Sequence, residues 1–271
     1  MNKAQLLDNQ APVVQKLVVR ERSIQQRIGG KKLYRMLKGE MTDLNIAMGR
    51  DRFLQFLREN RLLVPKSRKF TITTMSYHRF FKHPNRIKDL PLTRPEQVWV
   101  SDITYIKTKE ENLFLSLVTD AFSKRIMGYH LANHLRIDGP LKALNMALRN
   151  RMYPDKELIH HSDRGFQYCH PDYTGLLEKN NIKISMTTKY DPYENSVAER
   201  VNETIKNELI VMEVLPSTLV AHKAVDQSIK TYNNRRPHLS LHYKTPMHAH
   251  EHPDFTLKKW KKVFRIKPTK T

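Results

Sequence analysis

Three acidic residues that lie far apart in the chain have surroundings that make them candidates for metal binding. Asp102 interrupts a run rich in Val, Ile, Thr, Trp and Tyr, Asp163 ends a short apolar stretch beside a glycine turn, and Glu199 lies near the start of an amphipathic stretch. Asp is depleted from strands, and an ionised carboxylate in a sheet costs free energy unless a cation meets it. Carboxylate oxygens are hard ligands that suit Mg²⁺ or Mn²⁺. The three acids are therefore candidate ligands of a divalent cation.

Each acid also has a structural explanation when it is taken alone. An acid at a strand end beside a glycine turn can be a loop former or a helix cap, and this applies to Asp163. Ser196 and Glu199 match a capping box, in which Ser196 caps a helix and Glu199 reaches back to its backbone. Asp120 is a rival acid at another strand end, where the nearby Ser123 favours a role as a turn cap.

Two groups of histidines offer other metal ligands, and neither group has a spacing that is usual for a metal site. The first contains zinc-ligand residue types: His160, His161, Cys169 and His170. Their spacing fits no standard zinc site. The second alternates along the chain: His248, His250 and His252. We interpret this second group as surface residues.

The period of the apolar pattern predicts an α/β fold. From residue 97 the period is two, which predicts three strands joined by short connections, an antiparallel meander. Helices of period 3.6 then alternate with two further strands. The predicted strands cover residues 97–106, 113–118, 125–131, 158–161 and 182–186. The predicted helices cover residues 139–151, 171–180, 196–211 and 219–233. This order predicts a mixed five-stranded sheet flanked by helices.

The helix predicted over residues 196–211 carries its polar groups opposite an apolar stripe. The stripe repeats every four residues: Val197, Val201, Ile205 and Leu209. At about 100° per residue, Glu199 lies roughly opposite Val197, and Lys206 lies within about 20° of Glu199. Asn202 and Glu203 flank these two. One face therefore brings together an acid, an amide and a base, although an ordinary solvated face has the same composition.

The charge balance indicates a polyanionic partner. The 271 residues carry a formal net charge of +21, which favours nucleic acid first and an anionic membrane surface second. No apolar run approaches the roughly 20 residues that span a bilayer, and the first 20 residues lack the pattern of a signal peptide. A single cysteine excludes an internal disulfide. We expect a cytoplasmic, nucleoid-associated protein.

The N-terminal part of the chain is predicted to be a separate helical region. Residues 1–64 contain two short amphipathic helices around a glycine-containing connection, which is similar to a helix-turn-helix unit. A plain helical hairpin has the same pattern. In the DNA-binding interpretation, the contacting cations include Lys31, Lys32 and Arg35. We predict a basic linker over residues 65–95, a catalytic core over residues 96–250 and a basic tail over residues 251–271.

Five ordered motifs accompany the three acids. They are Trp99–Ile106, Asp120–Arg125, His161–Tyr168, Glu194–Glu199 followed by Lys206 and Glu208, and Tyr232–His238. Sixty residues separate Asp102 from Asp163, and 35 separate Asp163 from Glu199. These motifs resemble those of the insertion-sequence transposases of the DD-E type, the products of a second reading frame, which share a catalytic core with retroviral integrases. The resemblance spans roughly residues 95–250.

The resemblance implies an RNase H-like core that cleaves DNA and transfers strands. Both reactions are in-line displacements at phosphorus that two Mg²⁺ or Mn²⁺ ions can promote. We expect Asp102 to bridge both ions, and Asp163 and Glu199 to hold one each. The resemblance also implies that Lys206 contacts DNA. We expect further contacts from Asn202 on the same helix face and from His161, for which a buried packing role is an equal alternative.

The resemblance also implies the partners. These are double-stranded DNA at the element ends and at the target, further copies of the chain on that DNA, and the product of an upstream reading frame, with which such chains are often fused. Two other functions remain open at this point. One is a catalytically inactive DNA-binding regulator of transposition, and the other is an RNase H-like nuclease that acts on RNA–DNA hybrids.

Overall fold

Five strands form one mixed sheet in the computed structural model, which describes residues 3–65, 80–188 and 192–258. The strands are β1 (Val98–Lys107), β2 (Asn112–Asp120), β3 (Ile126–Ala132), β4 (Ile159–Ser162) and β5 (Lys183–Met186). Their spatial order is β3-β2-β1-β4-β5, with antiparallel pairing within the β1–β3 meander and parallel pairing of β1 with β4 and of β4 with β5. The predicted meander and mixed sheet are confirmed.

Helices precede the sheet and cover both of its faces. They are α1 (Lys3–Ile24), α2 (Gly30–Asp43), α3 (Arg50–Glu59), α4 (Asp138–Arg149), α5 (Phe166–Cys169), α6 (Pro171–Lys179), α7 (Ser196–Thr204), α8 (Thr218–Asn234) and α9 (Pro246–Glu251). Short 3₁₀ turns span Pro192–Asn195 and Leu239–Leu241. The predicted order of strands and helices over the core is confirmed.

The helix predicted as continuous over residues 196–211 changes its geometry part-way. It is α-helical to Thr204 and π-helical over Ile205–Ile210. Ile205 and Ile210 are five residues apart and both are buried. They would lie on different faces of an α-helix, whereas the wider π turn brings both of them onto the core. We call residues 205–210 the π segment.

Each face of the sheet has its own apolar core. On one face, side chains of the sheet such as Trp99 and Met186 pack with Leu144 of α4 and Leu177 of α6. On the other face, the π segment and α8 pack on β2 and β3; the residues include Leu115, Leu131, Ile205, Val225 and Tyr232. Strand residues that are apolar in both directions form the centre of such a covered sheet. This burial fixes the frame that carries the three acids.

The three N-terminal helices form a third core of their own. Fully buried members include Val14, Leu33, Leu37, Phe53 and Leu57. The two short helices predicted from the sequence correspond to α2 and α3, and the longer α1 precedes them. Helices are therefore present where they were expected, and the role of this region in binding DNA stays a prediction.

Part of the predicted basic linker packs on the core. Ile87, Leu90 and Leu92 contact an apolar cluster that includes Val98 and Val100 at the start of β1. This part is therefore not a solvated arm. The rest of the predicted linker, residues 66–79, and residues 259–271 of the predicted tail lie outside the described residues. None of the described helices is long and apolar enough to cross a membrane.

One interpretation of the histidines was wrong. His250, which we took as a surface residue, is fully buried on α9, where its ring bonds to Glu96 and Ser123. Alternation of polar residues along the sequence did not reveal this burial because the partners lie more than a hundred residues away. Asp120, in contrast, is the turn cap that we expected, since its Oδ1 accepts hydrogen bonds from the Ser123 backbone N–H and hydroxyl at 2.7 Å.

Candidate active site

Asp102 lies on the central strand, half-buried between two neighbouring strands. It pairs with Leu117 of β2, and the preceding Ser101 pairs with Ser162 of β4. Its carboxylate accepts a hydrogen bond from the backbone N–H of Ile103 at 2.9 Å. The side-chain amide of Asn202 donates to its other oxygen at 2.8 Å. The strand therefore places one acid at the middle of the sheet, and α7 holds it from the side.

Asp163 comes next to Asp102 because β4 runs parallel to β1. The pairing of Ser101 with Ser162 puts the two following residues, which are the acids, at the same level of the sheet. The backbone N–H of Gly165 donates to Asp163 Oδ1 at 2.9 Å. A Cβ on Gly165 would lie only 2.9 Å from that oxygen, so any larger residue here would push the Asp163 carboxylate out of its present orientation. The glycine turn therefore orients this carboxylate.

Glu199 lies in the first turn of α7, which docks against β1. Asn195 donates its side-chain amide to the backbone oxygen of Ser101 at 3.1 Å, and Ala198 packs in the cluster that contains Val100. Glu199 itself is exposed. The predicted capping box was wrong, because the helix begins after Asn195 and no side chain caps its first turn. That structural explanation of Glu199 is thereby removed.

The electrostatics of the three carboxylates show mutual repulsion. Burial raises the pKa of Asp102 to about 7, with further increases from the charges of Asp163 and, more weakly, Glu199. The two hydrogen bonds to Asp102 only partly oppose these effects. Burial and the neighbouring Glu203 raise the pKa of Glu199. Acids of like charge that are held together in a fold form a site that favours a cation.

Lys206 extends the site along the π segment. It is half-buried, and burial together with Lys107 lowers its pKa, while the charge of Asp102 acts in the opposite direction. The structure therefore places Lys206 within electrostatic reach of Asp102, on the helix that also carries Glu199 and Asn202. The predicted face with an acid, an amide and a base exists, and it is turned towards the central strand.

The donor set fits a hard divalent cation, although the geometry is open. Within the three described ranges, no three His, Cys, Asp or Glu side chains are grouped closely enough to hold a metal ion. The charge of Asp163 raises the pKa of Asp102 more than the charge of Glu199 does. Of the two, Glu199 is therefore the more distant from Asp102. The buried Oδ1 of Asn202, the residue that bonds Asp102, has no hydrogen-bond partner. Oxygen atoms of this kind suit Mg²⁺, which keeps several waters and uses few carboxylates.

Two residues that we expected to contact DNA have other surroundings. His161 is fully buried, its Nδ1 lies 2.9 Å from Ser185 Oγ, and burial lowers its pKa to about 4. This corrects the expected DNA contact, because a neutral ring with no exposed surface cannot meet a phosphate. Asn202 is also almost fully buried and positions Asp102 instead.

The expected DNA-binding cations of the helical region lie near the core. Lys31 and Arg35 are exposed, and the Arg35 guanidinium lies 5.2 Å from the centre of the Tyr243 ring. Lys32 pairs with Glu208 at 3.3 Å. Contacts of these three cations with DNA stay predictions.

Sequence reasoning missed a buried polar group directly behind Asp102. His160 Nε2 lies 2.8 Å from Ser101 Oγ and 3.0 Å from Tyr173 OH, and all three residues are buried. Burial lowers the pKa of His160 to about 3, so this ring is neutral. The group ties β1, β4 and α6 together beside the acids. The sequence signal was present, since His160 precedes the second-acid motif, but only the fold brings Ser101 and Tyr173 to it.

Comparisons with known proteins identify the family. Residues 93–192 and residues 180–246 each match the family described as integrase core domain. The chain is 36% identical over 209 residues to the insertion element IS600 uncharacterized 31 kDa protein of Shigella sonnei, covering 76% of each chain. It is 31% identical over 215 residues to the transposase InsF for insertion sequence IS3A of Escherichia coli, covering 79% of this chain and 73% of that protein.

The chain belongs to the insertion-sequence transposases with an integrase core. The predicted family and DNA transposase function are thereby confirmed. A chain of the simian T-cell lymphotropic virus intasome, solved in complex with the PP2A regulatory subunit B56 gamma, has a similar fold, with a TM-score of 0.52 and 18% identity. That match covers 87% of this transposase and 79% of the viral chain. The RNase H-like fold is confirmed as well.

Proposed function

We propose that this transposase cleaves DNA at the ends of an insertion sequence and joins those ends to target DNA, with Asp102, Asp163 and Glu199 as the ligands of two Mg²⁺ or Mn²⁺ ions. The observation that carries the proposal is the position of Asp102. It is half-buried beside a second acid, it has a raised pKa, and it lies opposite a helix that offers Glu199, Asn202 and Lys206.

Each side chain has a role in this mechanism. Asp102, on which the charges of both other acids act, would be a ligand of both ions, Asp163 would hold one, and Glu199 would complete the site after its exposed side chain turns inward. When bound, the ions would activate the attacking water or 3′-hydroxyl and stabilise the leaving oxygen. Asn202 keeps one oxygen of Asp102 in place, and Lys206 would bind the DNA phosphate beside the reaction.

The decisive experiment measures cleavage and strand transfer separately. A duplex with the terminal base pairs of the element that encodes the chain is incubated with the protein, Mn²⁺ or Mg²⁺, and a supercoiled target. We expect both activities in the wild type and a loss of at least about 10³-fold in Asp102→Asn, Asp163→Asn and Glu199→Gln. Retained strand transfer in any of the three variants would refute the assignment of that residue.

A neighbouring acid provides the matched control. Glu203 is exposed on the same helix and pairs with Arg200 at 2.8 Å. Its charge acts on Glu199, so Glu203→Gln removes a neighbouring negative charge without removing any of the three proposed ligands. We expect this variant to keep the activity of the wild type. Binding of the duplex should survive in all four variants, whereas RNA–DNA hybrids should not be cut. Binding without cutting by the wild type would favour the inactive regulator instead.

We also infer that the transposase acts as an oligomer on two DNA ends. The intasome chain with the similar fold supports this inference, and the charge of +21 supports the DNA partner. Neutralised phosphates release counterions, so affinity for DNA should fall steeply with salt. Light scattering tests this assembly. Adding duplexes of the two element ends should increase the mass of the protein–DNA complex.

A further inference from the structure

Glu208 of the π segment is held by cations from two different parts of the chain. The Arg236 guanidinium binds both of its oxygens, at 2.9 and 2.7 Å. The Lys32 ammonium lies 3.3 Å from the same carboxylate. The side chains of Arg236, Glu208 and Lys32 are 7%, 17% and 23% exposed, so this is a partly buried cluster and not a surface pair. We call these three residues the Glu208 clamp.

The core side of the clamp is rigid. Arg236 lies 5.8 Å from the centre of the buried Tyr232 ring and 2.9 Å from His238 Nε2. His238 in turn packs edge-on against the Tyr232 ring. Burial and the nearby Arg236 lower the pKa of His238 well below its ordinary value, so the neutral ring can accept a hydrogen bond from the guanidinium. This arrangement gives a structural role to the Tyr232–His238 motif, which the proposed chemistry leaves unexplained.

The other side of the clamp belongs to the N-terminal helical region. Lys32 lies in the first turn of α2. A second ion pair, between Arg235 and the buried Glu21 of α1, joins the same two regions at 2.7 Å. Burial and the charge of Arg236 lower the pKa of Lys32 to about 8, with Glu208 opposing them. Partly buried ion pairs therefore hold the helical region against the core. Removing one partner of such a pair leaves the other charge buried without compensation.

The clamped segment is the one that presents the site. Lys206 lies two residues before Glu208, and Glu199 lies on the helix that leads into the π segment. Val211, the residue after the segment, has φ of 61° and ψ of −41°. A positive φ is unfavourable for a β-branched residue and persists only where neighbouring contacts hold it. π-helical turns occur frequently at functional sites.

We propose that Glu208 is a positioning residue for strand transfer: held between Arg236 of the core and Lys32 of the helical region, it fixes the π segment so that Lys206 stays near Asp102 and α7 stays where Glu199 can turn towards Asp102. The inference rests on the proposed function. Docking of the N-terminal region then contributes to the chemical step itself, in addition to any contact of that region with DNA. Loss of Lys32 loosens the segment without removing a group that touches the reacting atoms.

The experiment uses the full chain and the strand-transfer assay described above. Lys32→Met should lower kcat about tenfold with little change in the KM for DNA, because a small misplacement of the reacting groups costs rate. Lys32→Arg keeps the charge and should restore most of the rate. Glu208→Gln should act in the same direction as Lys32→Met, and Glu208→Asp should be milder than Glu208→Gln. Hydrogen exchange of the amides of residues 205–210 should be faster in Lys32→Met than in the wild type.

The matched control is an ion pair inside the helical region. Arg52 and Glu59 form an exposed ion pair within α3, at 3.4 Å. Arg52→Gln should therefore change neither kcat nor the exchange of the π segment. An unchanged kcat in Lys32→Met, or an equal loss in Lys32→Arg, would overturn the proposal. A rise in KM alone would also overturn it, because Lys32 would then be a DNA contact.

The outcomes separate the two proposals. If the wild type joins no DNA, the proposed function fails, and the positioning role fails with it. If the wild type joins DNA and Lys32→Met is indistinguishable from it in rate and in exchange, only the positioning role fails. Faster exchange together with a lower kcat that Lys32→Arg restores supports both.

Discussion

Two groups of acids flank the central strands, and they differ in what their oxygens meet. Glu96 and Asp120 are fully buried at one end of β1 and β2. Asp120 accepts the Ser123 hydrogen bonds and the Glu96 backbone N–H at 2.7 Å. Glu96 accepts hydrogen bonds from the Met152 backbone and from Arg151, and lies 3.2 Å from His250 Nε2. Asp102 is less buried, yet its close charged neighbours include two further acids.

The pKa values of Glu96 and Asp102 move in opposite directions. Burial raises the pKa of Glu96, but the His250, Met152 and Arg151 partners outweigh this effect and leave the pKa lowered. Burial raises the pKa of Asp102 to about 7 and Asp163 adds to it. The first group is compensated within the fold, whereas Asp102 has neighbours of like charge, which is what the proposed cation site calls for. Glu96 and Asp102 lie three residues to either side of Trp99, and under the proposed function the first serves stability and the second serves chemistry.

The sharpest test of this difference replaces one acid in each group by its amide. In the absence of metal, Asp120→Asn should lower the free energy of unfolding by about 3 kcal/mol, because it breaks a buried, fully bonded network. Asp102→Asn should raise it by about 1 kcal/mol, because it relieves repulsion at a functional site, while strand transfer is lost. Denaturant titrations in EDTA measure both. If both substitutions changed the free energy of unfolding in the same direction, the distinction between the two groups of acids would be wrong.

The acids of the second group were singled out from the sequence as candidate ligands. In the first group, the sequence predicted a role for Asp120 and none for Glu96. Asp102 drew attention because an acid is costly within a strand, and the spacing to Asp163 and Glu199 then matched a family. Asp120 was assigned correctly as a turn cap because its partner Ser123 is three residues away. His250 was missed because its partners are 127 and 154 residues away, and no local pattern encodes such contacts.

The π segment shows a similar limit. The four-residue repeat of apolar residues predicted a continuous helix over residues 196–211, and its burial was correct for Val201 and Ile205. The change to π geometry follows from packing of Ile210 on the sheet and from the clamp on Glu208, and both are tertiary contacts. The sequence therefore predicted part of the buried stripe of this helix and missed how the second half of the helix is held.

His250 offers a pH test of the compensated group. Burial lowers the pKa of His250, but the nearby Asp120 carboxylate and the hydrogen bond to Glu96 outweigh burial and raise the pKa above the ordinary 6.5. The stability that protonated His250 contributes is thus fully present below about pH 6.5 and is lost as the pH rises through the raised value. The groups around it are Glu96, Asp120 and Arg125, with Tyr153 against the ring.

We expect His250→Gln to lower the free energy of unfolding by about 2 kcal/mol at pH 6 and by clearly less at pH 9. Comparing the variant with the wild type at each pH cancels the titration of Asp102 and of the other histidines. His252→Gln is the matched control, since this neighbour on the same short segment is exposed. A difference that stays constant between pH 6 and pH 9 would show that His250 is neutral in the folded chain.

The smallest expected effects distinguish two glycines: Gly165, which lies beside the Asp163 carboxylate, and Gly175, which lies in open space on α6. A Cβ on Gly165 would lie 2.9 Å from Asp163 Oδ1, whereas a Cβ on Gly175 of α6 would meet nothing within 4 Å. Gly165→Ala should therefore turn the Asp163 carboxylate and lower strand transfer about tenfold. Gly175→Ala should leave the activity unchanged and raise stability by about 0.5 to 1 kcal/mol, because alanine favours a helix. Equal activities of the two variants would mean that the orientation of Asp163 in the metal-free chain is not the one used in catalysis, and that the uncompensated acids rearrange when the ions bind.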